Sequence, residues 1–455
     1  MNGRLLAGCT ALSMLTVQLP GCSFTASVES MLSPPRLTVE QEQIYKALQI
    51  AAGSQISLKY PKSGDRLSAF IVEDLDGDGS DEAVVFYEMA RSAADENPLR
   101  ISLLDQKNGE WTAISDKPAV GAEIDRVDIE RLGTNPRKNL IISYSMVDGA
   151  EHAVQLFHYE DTLVQDFRGL PYSVMALRDL DRDGTTEMFV VTAAKDSEPA
   201  TATVYALDEA GIYNRILHKL PGTLPDVSRL AYGDLPTGKG NETIPAIYMD
   251  GTSGATTMQT VVLTYGRRQL TLLYSDSPER FPKTEHYGGF LTMDIDGDGE
   301  AEIPVTMDFD GYTDAPEAVI PKMTNWYVCR NKLLMREHSS YYSPEDGYVF
   351  LMPKRWERCV TARQANDEIV FWSFENNSPE SEEGDGQTGG EPVLLEPLLR
   401  LAVVSDPIAA DAMQSEGYQL LQQQNSRWYL GRIEPGSRTL RLTQSELLIS
   451  MHFLQ

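Results

Sequence analysis

The stretch Asp74-Leu75-Asp76-Gly77-Asp78-Gly79-Ser80-Asp81-Glu82 places five acidic side chains in nine residues. Like charges at this spacing repel, and a packed strand or helix would not tolerate them. The same frame returns as DLDRDGTTE from Asp179 to Glu187 and as DIDGDGEAE from Asp294 to Glu302. Acids at alternate positions of a tight loop aim their oxygens at one point. A hard cation such as Ca²⁺ takes six to eight oxygens at about 2.3–2.6 Å. In the first loop (loop I) Asp74, Asp76, Asp78 and Glu82 are the expected side-chain ligands, with the Ser80 carbonyl beside them. Loop II offers Asp179, Asp181, Asp183, Glu187 and the Thr185 carbonyl, and loop III offers Asp294, Asp296, Asp298, Glu302 and the Glu300 carbonyl. Gly79, Gly184 and Gly299 stand where each loop must reverse, and glycine accepts the positive φ this needs. About three Ca²⁺ are therefore expected.

An EF-hand begins similarly but requires a bidentate Glu at loop position 12 and flanking helices. Position 12 is Val85, Val190 or Val305 here. The flanks SAFIVEDL and EAVVFYE are rich in β-branched and aromatic residues, which favours strands. Strand, acidic loop, strand resembles the FG-GAP/VCBS repeat of integrin-like β-propellers, found in bacterial lipoproteins among others. The resemblance implies that each loop joins two strands of a blade and holds Ca²⁺, and it extends directly only to the three loops.

Each acidic loop is followed by a hairpin: LRISLLDQ-KNG-EWTAIS, TATVYAL-DEAG-IYNRIL and NWYV-CRN-KLLM. Asn108-Gly109 suits a type I′ turn. Two further units keep the frame without the metal residues. Their lead acids are Asp128 and Asp234, and no Ca²⁺ is expected in either. Lead acids at 74, 128, 179, 234 and 294 give a repeat of 51–60 residues, enough for four strands. The expected fold is mainly β: a propeller of about five four-stranded blades over residues 38–340, then a small α+β domain over 341–455. The strand QISLKY is expected to close the ring against the last blade. Thr38 with Gln41, and Thr443 with Glu446, have capping-box spacing ahead of helix-like runs. The insert 375–391 has no large apolar residue and is expected to be a disordered hairpin tip.

The first residues read as a targeting segment. Arg4 is the only charge before residue 29, and the apolar run ends in Leu19-Pro20-Gly21-Cys22. This resembles the lipobox of bacterial lipoproteins, which implies a signal peptide over 1–21, acylation of Cys22, and a tether over 22–37 on the outer face of the cell membrane. Of the remaining thiols, Cys329 and Cys359 fall in different expected domains, and two unbridged thiols are the favoured reading.

A net charge of −28 makes nucleic acid a poor partner, since binding it needs clustered Lys and Arg. The six His show no H-E-x-x-H spacing, and no G-x-S-x-G or P-loop is present. No catalytic residue is expected. The loop GTSGATT (251–257) reads as a plain connection, and the aromatics of NWYV, SSYYS and WYLGRI as core rather than a sugar platform. The sequence thus reads as a non-catalytic binding or scaffold protein of the envelope, with another envelope protein or a polysaccharide as partner. The alternative is a carbohydrate-active enzyme on a calcium-stabilised propeller. Cys22→Ala is expected to release the protein from membranes or leave it unprocessed, because each buried lipid CH₂ contributes about 0.8 kcal/mol to anchoring. Membrane fractionation with intact-mass measurement checks it.

Overall fold

The computed structural model describes residues 37–53, 55–90, 97–146, 151–237, 242–273, 284–312, 321–330, 333–366, 368–375 and 393–454. The lipobox-like stretch and the acidic insert from 376 onward lie outside them.

Helix α1 (Val39–Ala52) leads, with Thr38 and Gln41 exchanging both capping-box hydrogen bonds. Six antiparallel sheets follow in chain order. The first contains β1 (Ile56–Leu58), β2 (Phe70–Glu73), β3 (Glu82–Met89), β4 (Leu99–Lys107) and β5 (Glu110–Pro118). The second is a meander of β6 (Glu123–Glu130), β7 (Asn139–Ser145), β8 (His152–Tyr159) and β9 (Leu163–Tyr172). The third runs through β10 (Val174–Arg178), β11 (Glu187–Thr192), β12 (Thr201–Leu207) and β13 (Tyr213–Lys219). The fourth has β14 (Asp226–Pro236), β15 (Thr243–Thr252), β16 (Thr257–Gly266) and β17 (Gln269–Leu272), with β18 (Glu285–Tyr287) also on β16. The fifth is built on β19 (Ile303–Asp308), β20 (Lys322–Arg330), β21 (Leu333–Ser343) and β22 (Tyr348–Leu351). The sixth holds β23 (Val360–Ala365), β24 (Glu368–Glu375), β25 (Val393–Val404), β26 (Gln419–Gln424) and β27 (Arg427–Ile433) in the order β23-β24-β25-β27-β26, with helix α2 (Pro407–Ser415) between β25 and β26. Helix α3 (Gln444–Ser450), capped by Thr443 and Glu446, then returns the chain to β28 (Met451–Phe453), which pairs with β22.

The sheets stack because successive side chains of a strand point to opposite faces. On β3, Val84 and Phe86 pack toward the second sheet, while Ala83, Val85 and Tyr87 meet Ile44 and Leu48 of α1. On β11, Met188 and Val190 face the second sheet, and Phe189 and Val191 face the fourth. On β15, Ile247 and Met249 face the third sheet, and Ala246 and Tyr248 pack with Ile303 and Cys329 of the fifth. Phe350 and Met323 of the fifth sheet pack with Phe371, Leu399 and Tyr429 of the sixth. Cys359, half-buried, precedes the sixth sheet.

Three placements correct the sequence reading. The strand within QISLKY pairs with β3 of the first sheet, Ile56 opposite Met89, and not with a last blade. Among the described residues no hydrogen bond links the first sheet to the fifth or sixth, so no closed ring is seen; α1 covers the first sheet where a closing blade would lie. The division at 341 falls inside β21, and GYVFLMPKRW supplies β22 of the fifth sheet. Its edge strand β28 comes from beyond the sixth sheet, so the α+β segment and the fifth sheet share hydrogen bonds. Finally, loop III does not join two paired strands. The preceding strand β18 is drawn to β16, and only a single bridge, Met293 with Glu302, remains on the near side of the loop.

Asn108 and Gly109 both have positive φ, as a type I′ turn requires. Residues 253–256 form the tight link between β15 and β16, and the Thr256 carbonyl accepts from the Gly288 amide. Of the aromatics in NWYV, SSYYS and WYLGRI, Trp326, Tyr342 and Tyr429 are buried, and Tyr327, Tyr341 and Trp428 are half-buried. Phe86→Ala, at a fully buried site, is expected to cost about 3–5 kcal/mol, against little for Tyr60→Ala at 51% exposure. Denaturant unfolding of the two variants measures the difference.

Candidate metal centres

The three acidic loops fold alike, and their own backbones explain how. In loop I the amides of Gly77 and Gly79 donate to the two oxygens of Asp74 at 2.6 and 3.1 Å. In loop III Gly297 and Gly299 do the same to Asp294, at 2.6 and 2.9 Å. In loop II Asp183 and Gly184 donate to Asp179, at 3.2 and 3.0 Å. The amides of Ser80, Thr185 and Glu300 donate to Asp78, Asp183 and Asp298 at 2.7–2.8 Å. Gly79, Gly184 and Gly299 all sit near φ +90°, which a side chain would resist.

The glutamate that closes each loop is the decisive residue. Glu82, Glu187 and Glu302 are at most 2% exposed. One oxygen of each accepts an amide, from Leu75 at 2.7 Å, Leu180 at 2.9 Å and Ile295 at 2.9 Å. Glu302 Oε1 is buried with no partner, as is Asp181 Oδ1 in loop II. Burial raises the carboxyl pKa of Glu82 and Glu187 to about 7 and that of Glu302 to about 8, and the neighbouring aspartates add to the effect. Asp181 is raised by burial and then by Asp183.

Carboxylate oxygens come within 4.8 Å of one another for Asp74, Asp76 and Asp78; for Asp179, Asp181 and Glu187; and for Asp294, Asp296 and Glu302. Each set fits a metal ion. Glu82, Asp183 and Asp298 stand outside these closest groups. The donors are all oxygens, and two of them are buried without a partner, a chemistry that suits a hard divalent cation.

The two loops without the acidic set are arranged differently. Asp128 is a residue of strand β6, opposite Ile141, and pairs with Arg126 at 2.7 Å. Where the other loops bury a glutamate, Asn139 opens strand β7, fully buried, donating to the Glu130 carbonyl and accepting from Tyr213 Oη at 3.0 Å. Asp234 is likewise a strand residue, in β14, and its carboxylate pairs with Arg182 of loop II. Both lead acids are therefore strand residues with basic partners, not loop ligands.

Groups distant in sequence adjoin the loops, and no local pattern announces them. Lys138 reaches Glu73 at 3.0 Å and the Asp74 carbonyl at 2.7 Å. His338 Nε2 lies 3.1 Å from Asp296. Arg330 pairs with Glu300 at 3.3 Å. Of the two His on β8, His152 is half-exposed beside Asp125, and His158 is buried 2.9 Å from Asp166.

No protein-family model matches the chain, and no curated protein sequence matches it. Among solved structures, the chain is similar to a rhamnogalacturonan lyase of Bacillus licheniformis at 13% identity, covering 70% of this chain and 74% of that one, with TM-score 0.28. It is also similar to an α-L-arabinofuranosidase of Fusarium graminearum, in two structures at 10% identity. One, an E242A mutant with an iminosugar inhibitor, covers 69% and 94% of the two chains at TM-score 0.24. The other, with arabinobiose, covers 83% and 97% at TM-score 0.25. These likenesses are too slight to assign an activity. All three structures are nevertheless of sugar-acting enzymes, and the expectation that this chain is not an enzyme is withdrawn on that finding.

Without metal, the raised carboxyls favour the folded state while protonated. Their contribution is complete below the ordinary carboxyl range near pH 4.5 and is lost as pH rises through 7 to 8. A bound cation competes with those protons. The gain in melting temperature on adding Ca²⁺ is therefore expected to be larger at pH 8 than at pH 5.5. Glu302→Gln should reduce the metal-free pH dependence, leaving the part due to Glu82 and Glu187, and lose one Ca²⁺. Thermal melts with and without chelator across this range check both.

Proposed function

We propose that this is an exported, lipid-anchored protein whose stacked sheets are blades of an FG-GAP/VCBS-like propeller, held by structural Ca²⁺ at loops I, II and III. The observation that carries the reading is the buried, partnerless carboxylate oxygen that loops II and III each hold, Asp181 Oδ1 and Glu302 Oε1. In this reading Asp74, Asp76, Asp78, Glu82 and the Ser80 carbonyl hold the first Ca²⁺. The corresponding residues of the other two loops, with the Thr185 and Glu300 carbonyls, hold the second and third. The metal offsets the crowded charge and ties the second strand of each blade to what precedes it. Cys22 anchors the chain at the outer face of the membrane, where calcium is plentiful.

A second reading concerns what the scaffold does there: it acts on a carbohydrate. Two adjoining clefts, of about 620 and 490 Å³, flank the turn at Ser343–Asp346. They offer Tyr341, Lys322 and Gln364 on one side and Arg229, Asn425 and Arg427 on the other. Planar amides, guanidinium groups and aromatic rings in a cleft of this size suit sugar hydroxyls and ring faces.

Extracellular calcium modules commonly have dissociation constants of about 10⁻⁴–10⁻³ M. At tenfold excess of free Ca²⁺, each site adds about 1.4 kcal/mol, and three add about 4 kcal/mol. A chelator is expected to lower the melting temperature, and Ca²⁺ to restore it more fully than Mg²⁺, which demands near-octahedral geometry. Asp76→Ala, Asp181→Ala and Asp296→Ala should each remove one Ca²⁺ by metal analysis, and a melt indifferent to chelator in metal-bearing protein would refute the calcium reading. Incubation with a panel of polysaccharides, with product analysis, tests the carbohydrate reading; no turnover on any of them counts against it.

A further inference from the structure

Loops II and III both meet the end of β14, where Asp234 pairs with Arg182 of loop II and hydrogen-bonds to Gly299 of loop III. Loops I and III have Gly77 and Gly297 at their fourth position, at φ 85° and 82°. Loop II has Arg182 there, held at φ 61°, an unfavourable conformation for a long side chain. Its neighbours Asp181 and Asp183 are both expected metal ligands. Its guanidinium pairs with the Asp234 carboxylate, which also accepts from Thr243 Oγ1 at 3.1 Å. The backbone amide of the same Asp234 donates to the Gly299 carbonyl of loop III at 3.0 Å. Gly233 lies so close to Ala301 that an added Cβ would stand 2.8 Å from its nitrogen. A side-chain ion pair thus leads into Asp234 from loop II, and a tight backbone contact leads out to loop III.

We propose that Arg182 serves as the built-in counter-charge of Asp234 near the end of β14, and that through Asp234 it couples calcium binding at loop II to calcium binding at loop III. Calcium at loop II fixes the backbone on both sides of Arg182 and so fixes the guanidinium on Asp234. The end of β14 is then held, and with it the Gly299 bend and the Ala301 backbone next to Glu302. An empty loop II opens under its own repulsion and draws Arg182 away. By linkage, each site then raises the affinity of the other by the same factor. The half-exposed ion pair implies a modest factor, of about fivefold.

This inference rests on the calcium reading, and the experiment separates the two. Calcium isotherms are measured calorimetrically on the full chain carrying Asp76→Ala, which leaves loops II and III. Metal analysis comes first: if neither loop binds Ca²⁺, the calcium reading itself fails. If both bind, adding Asp181→Ala should weaken loop III about fivefold. With Asp234→Asn or Arg182→Gly also present, the same Asp181→Ala change should have no effect on loop III, whereas Arg182→Lys should preserve the coupling. Equal affinity of loop III with and without Asp181→Ala overturns the proposal. So does coupling that persists in Asp234→Asn. With Asp76 restored, Asp234→Asn should leave the affinity of loop I unchanged; an equal loss at loops I and III would mean a general loosening and would also overturn it.

Discussion

A carboxylate buried without a counter-charge is the constraint on which the loop-bearing rim of this molecule depends. A fully desolvated charge is unfavourable by several kcal/mol unless something answers it. At Glu82, Glu187 and Glu302 one amide hydrogen bond answers part of it, and Glu187 also accepts from Thr185 Oγ1 at 3.0 Å. At the equivalent place in the second sheet the chain uses the neutral Asn139, with partners on both ends of its amide. In the fourth sheet it is the part-exposed lead acid Asp234 that takes a partner, an arginine from loop II. Three arrangements therefore occur along these connections: a cluster of acids that could hold an ion, a neutral amide, and a borrowed guanidinium.

Behind that rim the molecule is held by ordinary apolar packing. Each middle sheet gives one face to the sheet before it and the other to the sheet after it, so alternate residues of one strand belong to different cores. This arrangement leaves the end sheets with one face to fill. Helix α1 fills it for the first, with Ile44 and Leu48, and α2 for the sixth, with Ala410 against Ala402 and Leu430. The polar groups trapped between sheets are tied in networks. Asp250, 1% exposed, accepts from the hydroxyls of Thr260 and Thr292 and from the Thr292 amide, and thereby anchors the segment that enters loop III.

Much of this was legible in the sequence where the signal was local. Both capping boxes and the Asn108-Gly109 turn depend on residues within a few positions of one another, and the structure places them as read; the acidic loops are equally local, and each brings three of its acids together. The alternation of apolar residues identified strands but not their partners. A three-residue strand such as β1 or β18 carries the same pattern whichever edge it joins, and its choice is made by the sheet that offers room. The lead acids Asp128 and Asp234 look like loop residues only if spacing is carried over without the longer connections that follow them. Arg182 with Asp234, Lys138 with Asp74, and His338 with Asp296 lie 42–64 residues apart, and no periodicity links such pairs.

The pairing of β28 with β22 sets an order of events in folding. Strand β22 leaves the fifth sheet with an unpaired edge, and the strand that covers it emerges only after the whole sixth sheet has been made. Until then a row of backbone donors and acceptors beside Tyr348, Val349 and Phe350 stays open to any other extended chain. Closing it requires a contact across about a hundred residues of intervening chain, the kind of non-local pairing that forms slowly. The fifth sheet, which carries loop III, is thus the last of the loop-bearing sheets whose strands are all present as the chain is made.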